Sequence, residues 1–239
     1  MTTAPRTEPL YAQVRTALIE RMASGSLRPG QVLPSEFALA EELNVSQGTV
    51  RKALDTLVAD NLVQRRQGRG TFVAEHTQER ALFHFFRMEG IGGMPAIPQT
   101  LTEEITQRAA PARIATRLGI DKSADVVLIR RTRTLLGKPA TFEDIYVPHA
   151  LLPIRATDGP LPNALYTHYQ SAHGLSVARA EDRLSAVQAP AKVVKALPQA
   201  EGQAMLLATR VAFDLTDRII ETRESYILTT DTAYAVTLR

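Results

Sequence analysis

Apolar positions near the start of the chain recur at helical spacing. Leu10, Val14, Ala17, Leu18 and Met22 line one face of a helix predicted over Leu10 to Ala23. Gly25 and then Pro29-Gly30 end it in a turn. Pro34-Ser35-Glu36 opens a second helix. The Ser35 hydroxyl can accept from free backbone N–H groups, and Glu36 sits where the helix dipole favours negative charge. Phe37, Leu39, Ala40 and Leu43 supply its apolar face, and Asn44 offers a left-handed stop. Ser46 caps a third helix running to about Ala59. Val50, Ala53, Leu54, Leu57 and Val58 point inward; Gln47, Gly48, Thr49, Arg51, Lys52 and Asp55 point outward. The period then drops to two. Strands are predicted over Leu62 to Arg65 and Thr71 to Val73, with Arg66-Gln67-Gly68-Arg69-Gly70 as the hairpin tip between them.

From Glu75 to about Thr100 the pattern weakens, because Gly90, Gly92, Gly93, Pro95 and Pro98 interrupt it. A second pattern follows. A short helix from Pro111 to Leu118 stops at Gly119. Strands are expected at Val126 to Thr134 and Thr141 to Val147, around a turn at Gly137-Lys138. Another short helix at Pro190 to Leu197 precedes strands at Met205 to Asp214 and Arg218 to Leu228. A shift of about 79 residues lays Ala112 on Ala191, Leu118 on Leu197 and Arg131 on Arg210, a trace of an α/β unit used twice. Between the two units, Ala164 to His173 reads as helix and Ser176 to Val187 as strand. The expected division is 1–75, a linker and approach at 76–95, and 96–239.

Composition narrows the classes. With 44% hydrophobic and 22% charged residues the chain can build a packed core. It has no cysteine, hence no disulfide framework and no thiolate chemistry. Met1 to Pro9 lacks the apolar stretch of a secretory leader, and there is no apolar run of about 18 residues, so a cytoplasmic protein is expected. The net charge of +3 is spread almost evenly along the chain, so nucleic-acid binding must be argued from where the cations lie.

They lie in two places. Two helices joined by Asn44-Val45 make a helix-turn-helix, whose second helix fits the major groove. Its outward N-terminal face presents Gln47, Thr49 and Arg51, with Lys52 toward the backbone; Arg51 can pair bidentately with guanine. Gly48 removes a side chain where the helix end must approach the duplex. Ser35 and Ser46 offer hydroxyls and helix N-terminal amides to phosphates. The hairpin adds Arg65, Arg66 and Arg69, while Gly68 and Gly70 permit a narrow tip suited to minor-groove or phosphate contact. Either feature alone is commonly a solvated surface; three helices followed by a basic hairpin is far more specific.

In this order the residues resemble a known family. Leu27 to Glu36, Leu39-Ala40, Val45-Ser46, Thr49 to Leu54, Leu57 and Gly68 to Val73 look like the DNA-binding domain of GntR-type bacterial repressors. The resemblance implies a homodimer on palindromic operator DNA, with contacts at Ser35, Glu36 (supporting), Ser46, Thr49, Arg51, Gly68 and Arg69. Two positions depart from it: Phe37 and Gln47 stand where the family often has arginine. Weaker phosphate anchoring or an altered operator is therefore expected.

The remainder resembles the UTRA effector domain of the HutC branch. The signal is carried by Arg131-Thr132-Arg133, Gly137, Pro139, Glu143, Pro148, Leu165-Tyr166, Gly174, Arg179 to Glu181, Leu197, Gly202, Arg210 and Glu221 to Tyr226. The implied fold class is α+β: a winged helix-turn-helix followed by a chorismate lyase-like antiparallel sheet with helices around a central pocket. On an alternating strand Val127, Ile129, Arg131 and Arg133 share one face, and arginines among aliphatics need anionic partners. A three-residue loop centred on Gly137 would set Arg131 opposite Glu143; a two-residue loop would put them on opposite faces, and the family favours the first. Glu221 and Arg223 also share a face. The expected effector site is Arg131, Arg133, Glu143, Tyr166, Glu221 and Arg223, with arginines clamping an anion. The alternative is that these charges pair with one another. Ala164 and Ile227 depart from the family pattern, which counts against a sugar phosphate. An enzyme is the rival class on this fold. The five histidines (76, 84, 149, 168, 173) show no metal or triad spacing and no Gly-x-Ser-x-Gly elbow occurs, so no catalysis, metal or cofactor is expected.

Overall fold

The computed structural model of the chain describes residues 8–77 and 85–237. Two units emerge, residues 1–75 with 215–217, and residues 76–214 with 218–239. In the first, α1 (Leu10–Ala23), α2 (Glu36–Glu42) and α3 (Gln47–Ala59) are followed by β1 (Val63–Arg66) and β2 (Gly70–Val73). Leu18, Leu39, Val50, Ala53 and Leu57 are fully buried where the helices meet. Each Leu so buried contributes about 2 kcal/mol of transfer free energy. Ser35 and Ser46 cap α2 and α3, their Oγ atoms accepting from Ala38 N and Thr49 N. Asn44 takes the left-handed conformation (φ 52°) that lets α2 stop and α3 start at an angle. Phe37, expected on the apolar face of α2, is instead 64% exposed. One helical position too far round separates it from Leu39 and Ala40.

The second unit is a six-stranded antiparallel sheet. β3 (Met88–Gly90) precedes it in the chain and pairs outside it with β10 (Thr232–Tyr234). The sheet strands are β4 (Gln99–Ala109), β5 (Asp125–Leu135), β6 (Lys138–Pro148), β7 (Val177–Gln188), β8 (Ala204–Asp214) and β9 (Ile219–Ile227), in the order β4-β5-β6-β9-β8-β7. Helices α4 (Ala112–Leu118), α5 (Leu165–His173) and α6 (Ala191–Ala196) join them. The α4 and α6 helices pack on one face, through Ile114, Ala115 and Leu118 and through Val193 and Leu197. The α5 helix covers the other, with Leu165, Tyr166 and Tyr169 over Val127, Ile129, Ile145 and Val147.

Three strands were not expected: β3, β4 and β10, the last beyond the final predicted strand. β4 has no apolar alternation to announce it and is exposed along most of its length. β3 falls within the expected 76–95 linker, of which residues 78–84 lie outside the described residues. The shift of about 79 residues proves to be topological. It carries β4, β5, β6 and α4 onto β7, β8, β9 and α6, the two halves meeting along β6–β9. At that seam Asp144 stands directly opposite Glu224. Lys192 of the second half reaches Asp144 at 2.7 Å, and Arg113 and Arg117 of the first half hold Glu224.

Candidate DNA-reading surface and ligand cleft

In the first unit the start of α3 and the β1–β2 hairpin present the expected polar groups. Gln47, Arg51, Lys52, Arg66, Gly68, Arg69 and Gly70 are exposed, as are Ser35 and Ser46; Thr49 is half-buried. The Ser46 and Thr49 hydroxyls lie 2.9 Å apart, and each serine is already a helix cap. Arg51 is not loose. Its guanidinium donates to Glu36 Oε2 from Nε at 3.0 Å, and the closest approach of the pair is 2.9 Å. Arg65 bridges Glu36 (3.6 Å) and Asp55 (2.7 Å). Exposed pairs of this kind are weak and salt-screened, so they orient Arg51 without holding it from a stronger acceptor. Lys52 lies over the Tyr11 ring at 4.2 Å and Arg66 over Phe72 at 4.5 Å. Arg69, at the tip, is in no ion pair among the described residues. Gly68 (φ 70°) and Gly70 (φ 102°) need their positive φ for the turn. A Cβ at Gly48 would meet nothing nearer than Ser46 Oγ at 3.8 Å, so the fold itself does not demand glycine there.

In the second unit one sheet face gathers the expected effector residues. Arg131 and Glu143 are cross-strand partners, as are Glu143 and Ser225. The register comes about unexpectedly. The β5–β6 turn is a two-residue loop, Leu136 (φ 50°) and Gly137 (φ 79°), between paired Leu135 and Lys138. A bulge between Arg133 and Thr134 restores the alignment that such a loop would have shifted. The charges pair with one another. Arg131, fully buried, donates from Nε to Glu103 Oε2 at 2.7 Å and from NH2 to Pro162 O at 3.2 Å. Arg133 reaches Glu143 Oε2 at 3.3 Å and Asn163 Oδ1 at 2.8 Å, while its Nε has no partner. Arg223 donates to Glu221 at 3.0 Å, which also accepts from Tyr166 OH (3.2 Å) and Tyr169 OH (2.8 Å). Arg210 holds Asp182 at 2.7 Å and donates to Phe85 O at 2.6 Å.

The electrostatics follow from burial. Burial alone would raise the Glu143 carboxyl, but Arg133, Arg223 and Arg131 outweigh it and hold it at about 2. Burial, with Glu221 close by, pushes the Tyr166 phenol up to about 12. Burial lowers Arg133, and neighbouring Arg223 and Arg131 lower it further. A small cleft opens on this face, lined by Arg133, Arg210, Arg223, Asn163, Phe85, Phe86 and residues 164–166 at the start of α5.

All six expected effector residues thus gather on one side of the sheet, but only Arg133, Tyr166 and Arg223 line the cleft. Glu143 and Glu221 stand behind those arginines, and Arg131 is committed to Glu103. Glu103, Asn163, Tyr169, Ser225 and the role of Arg210 were not read from the sequence. The internal shift could have found two of them: it lays Arg131 on Arg210 and Glu103 on Asp182, and both pairs are salt bridges.

Comparison with known proteins agrees in both units. Residues 10–73 match the family described as bacterial regulatory proteins, gntR family, and residues 96–232 match the UTRA domain. The HTH-type transcriptional regulator SmoD of Agrobacterium fabrum is 29% identical over 206 residues, 85% of each chain. The HTH-type transcriptional repressor NagR of Bacillus subtilis is 27% identical over 206 residues, 86% of this chain and 84% of its own. The crystal structure of PhnF from Mycobacterium smegmatis superimposes with a TM-score of 0.51 at 25% identity, covering 95% of this chain and 99% of that one.

Proposed function

This chain belongs to the GntR family of bacterial regulatory proteins and carries a UTRA domain, which makes it a DNA-binding transcriptional regulator under small-molecule control rather than an enzyme, and we propose that it acts as a cytoplasmic homodimeric repressor on a palindromic operator. Residues 1–75 are the DNA-binding head, 76–95 the linker and approach, and 96–239 the effector domain. Arg51 reads a guanine in the major groove. Gln47, Thr49 and Lys52 flank it. Ser35 and Ser46 meet phosphates, Glu36 aims Arg51, and the tip from Arg66 through Gly68 and Arg69 to Gly70 enters the neighbouring groove. The observation that carries this reading is the Glu36–Arg51 pair: an exposed guanidinium already oriented at the start of a helix whose outer face is polar.

Effector binding on the sheet face of Arg133, Tyr166 and Arg223, with Arg131, Glu143 and Glu221 behind, shifts the spacing or mobility of the two heads. Half-sites about one helical turn apart are then no longer matched. The test is selection of binding sites from random duplexes, followed by competition in gel shift. An inverted repeat should emerge, and Arg51→Ala should bind it about ten- to a hundredfold more weakly with relaxed preference at one position. Equal binding to random and selected DNA, or an unchanged Arg51→Ala profile, overturns the reading.

A further inference from the structure

The α2 helix is a poor neighbour for a polyanion. Its seven residues include Glu36, Glu41 and Glu42 and no Lys, Arg or His. Glu36 is engaged by Arg51 and Arg65, and Glu42 by Arg21 at 2.6 Å. No side chain of this helix can therefore serve a phosphate as its counterion. Yet the first turn of α2 belongs to the reading surface, because Glu36 reaches the Arg51 guanidinium on the outer face of α3. What that turn presents is apolar. Phe37, next to Glu36, is 64% exposed, and Ala38 is exposed as well.

Phe37 stands about 200° round the helix axis from Leu39. Leu39 is fully buried, so the Phe37 ring points away from the core that Leu39 enters. The head holds two other aromatics among its described residues, and a basic side chain covers each: Lys52 lies over Tyr11 at 4.2 Å and Arg66 over Phe72 at 4.5 Å. Phe37 has no such cover among the described residues. A bare phenyl ring is costly in water, and a partner that buries it is favoured by the area removed. The base edges of the major groove offer one apolar group, the 5-methyl of thymine. A bare ring beside the arginine that faces those edges is matched to it.

We propose that Phe37 is a specificity-determining residue whose ring packs on the methyl group of a thymine next to the guanine read by Arg51, so that α2 holds the duplex by an apolar contact. This rests on the reading of the surface around Arg51 as the DNA face. The full-length protein is titrated by fluorescence anisotropy with the operator selected from random duplexes, across a potassium chloride series. Each thymine is replaced in turn by deoxyuridine, which lacks only the methyl. One position beside the guanine should lose about threefold in affinity. Phe37→Ala should bind the intact operator about tenfold more weakly. Demethylation at that position should then cost nothing further. The slope of log affinity against log salt should stay as it was, because no ionic contact is lost. Phe37→Arg should steepen that slope by about one for each head and narrow the preference for operator over random DNA. Unchanged binding by Phe37→Ala overturns the proposal, as does a demethylation cost that persists in it, or an altered sedimentation coefficient that traces its loss to assembly. If neither variant folds, the unaltered protein decides: no thymine sensitive to demethylation beside the guanine overturns the contact. The DNA face itself fails separately, when Arg51→Ala binds the operator unchanged.

Discussion

Arg131 and Arg133 sit two residues apart on one strand face, yet their surroundings give them different work. Arg131 is wholly enclosed and spends its donors on Glu103 and the carbonyl of Pro162. Removing it strands a partly buried carboxylate, so Arg131→Ala should cost about 3 kcal/mol or more of stability in urea denaturation. Arg133 borders the cleft, while its enclosed Nε has no acceptor. Glu143 supplies a pH signature. Its carboxyl is held at about 2 against an ordinary 4.5. The folded state therefore binds that proton less readily than the unfolded chain, so its stabilising contribution is complete above the ordinary value and fades as pH falls toward 2. Glu143→Gln should flatten the acid limb of the stability curve in that window. An unchanged limb would show that Glu143 is not the charge the arginines enclose.

At the scale of elements, legibility followed burial. The head was readable because Val50, Ala53, Leu54 and Leu57 stamp a helical period on one side of α3, and because Asn44, Ser35 and Ser46 each have a local backbone reason to be where they are. β4 was missed because its run of Thr and Glu from Gln99 to Gln107 holds only Leu101 and Ile105 as apolar markers, whereas the other edge strand, β7, was read. The β5–β6 register was reached by a route the sequence does not display: a tight loop at Leu136-Gly137 plus a bulge two residues back, two offsets that cancel. The arginines of the cleft were visible as apolar-face anomalies, but the choice of partner was not, because Glu103 and Asn163 sit on segments that no period marks. The hairpin tip has its own prediction. Arg69 lies where glycines at positive φ narrow the turn, and we propose that it contributes charge more than sequence reading. Arg69→Ala should weaken binding to all duplexes alike and reduce the slope of log affinity against log salt by about one.

At the scale of the molecule, the second unit is two copies of a helix-and-three-strand motif joined edge to edge at β6–β9. The pairs Glu103–Arg131 and Asp182–Arg210 occupy equivalent places in the copies, but only the first half adds the second arginine, Arg133, where its counterpart is Ala212. The arginine-lined cleft is the asymmetry left in an otherwise repeated plan. The seam has a mechanical consequence. Asp144 and Glu224 would repel each other; Asp144 is quieted by Arg130 of its own copy together with Lys192 of the other, and Glu224 by Arg113 with Arg117 across the seam. Each copy lends the other a cation at the seam, although Asp144 keeps Arg130 and Glu224 keeps Lys192, at 3.9 Å, on its own side. Severed in the excursion that links them, near residue 155, the two fragments of the full chain should be insoluble when expressed singly. Produced together they should recover the intact protein's circular dichroism, as β6 and β9 regain their pairing and the cations their partners across it.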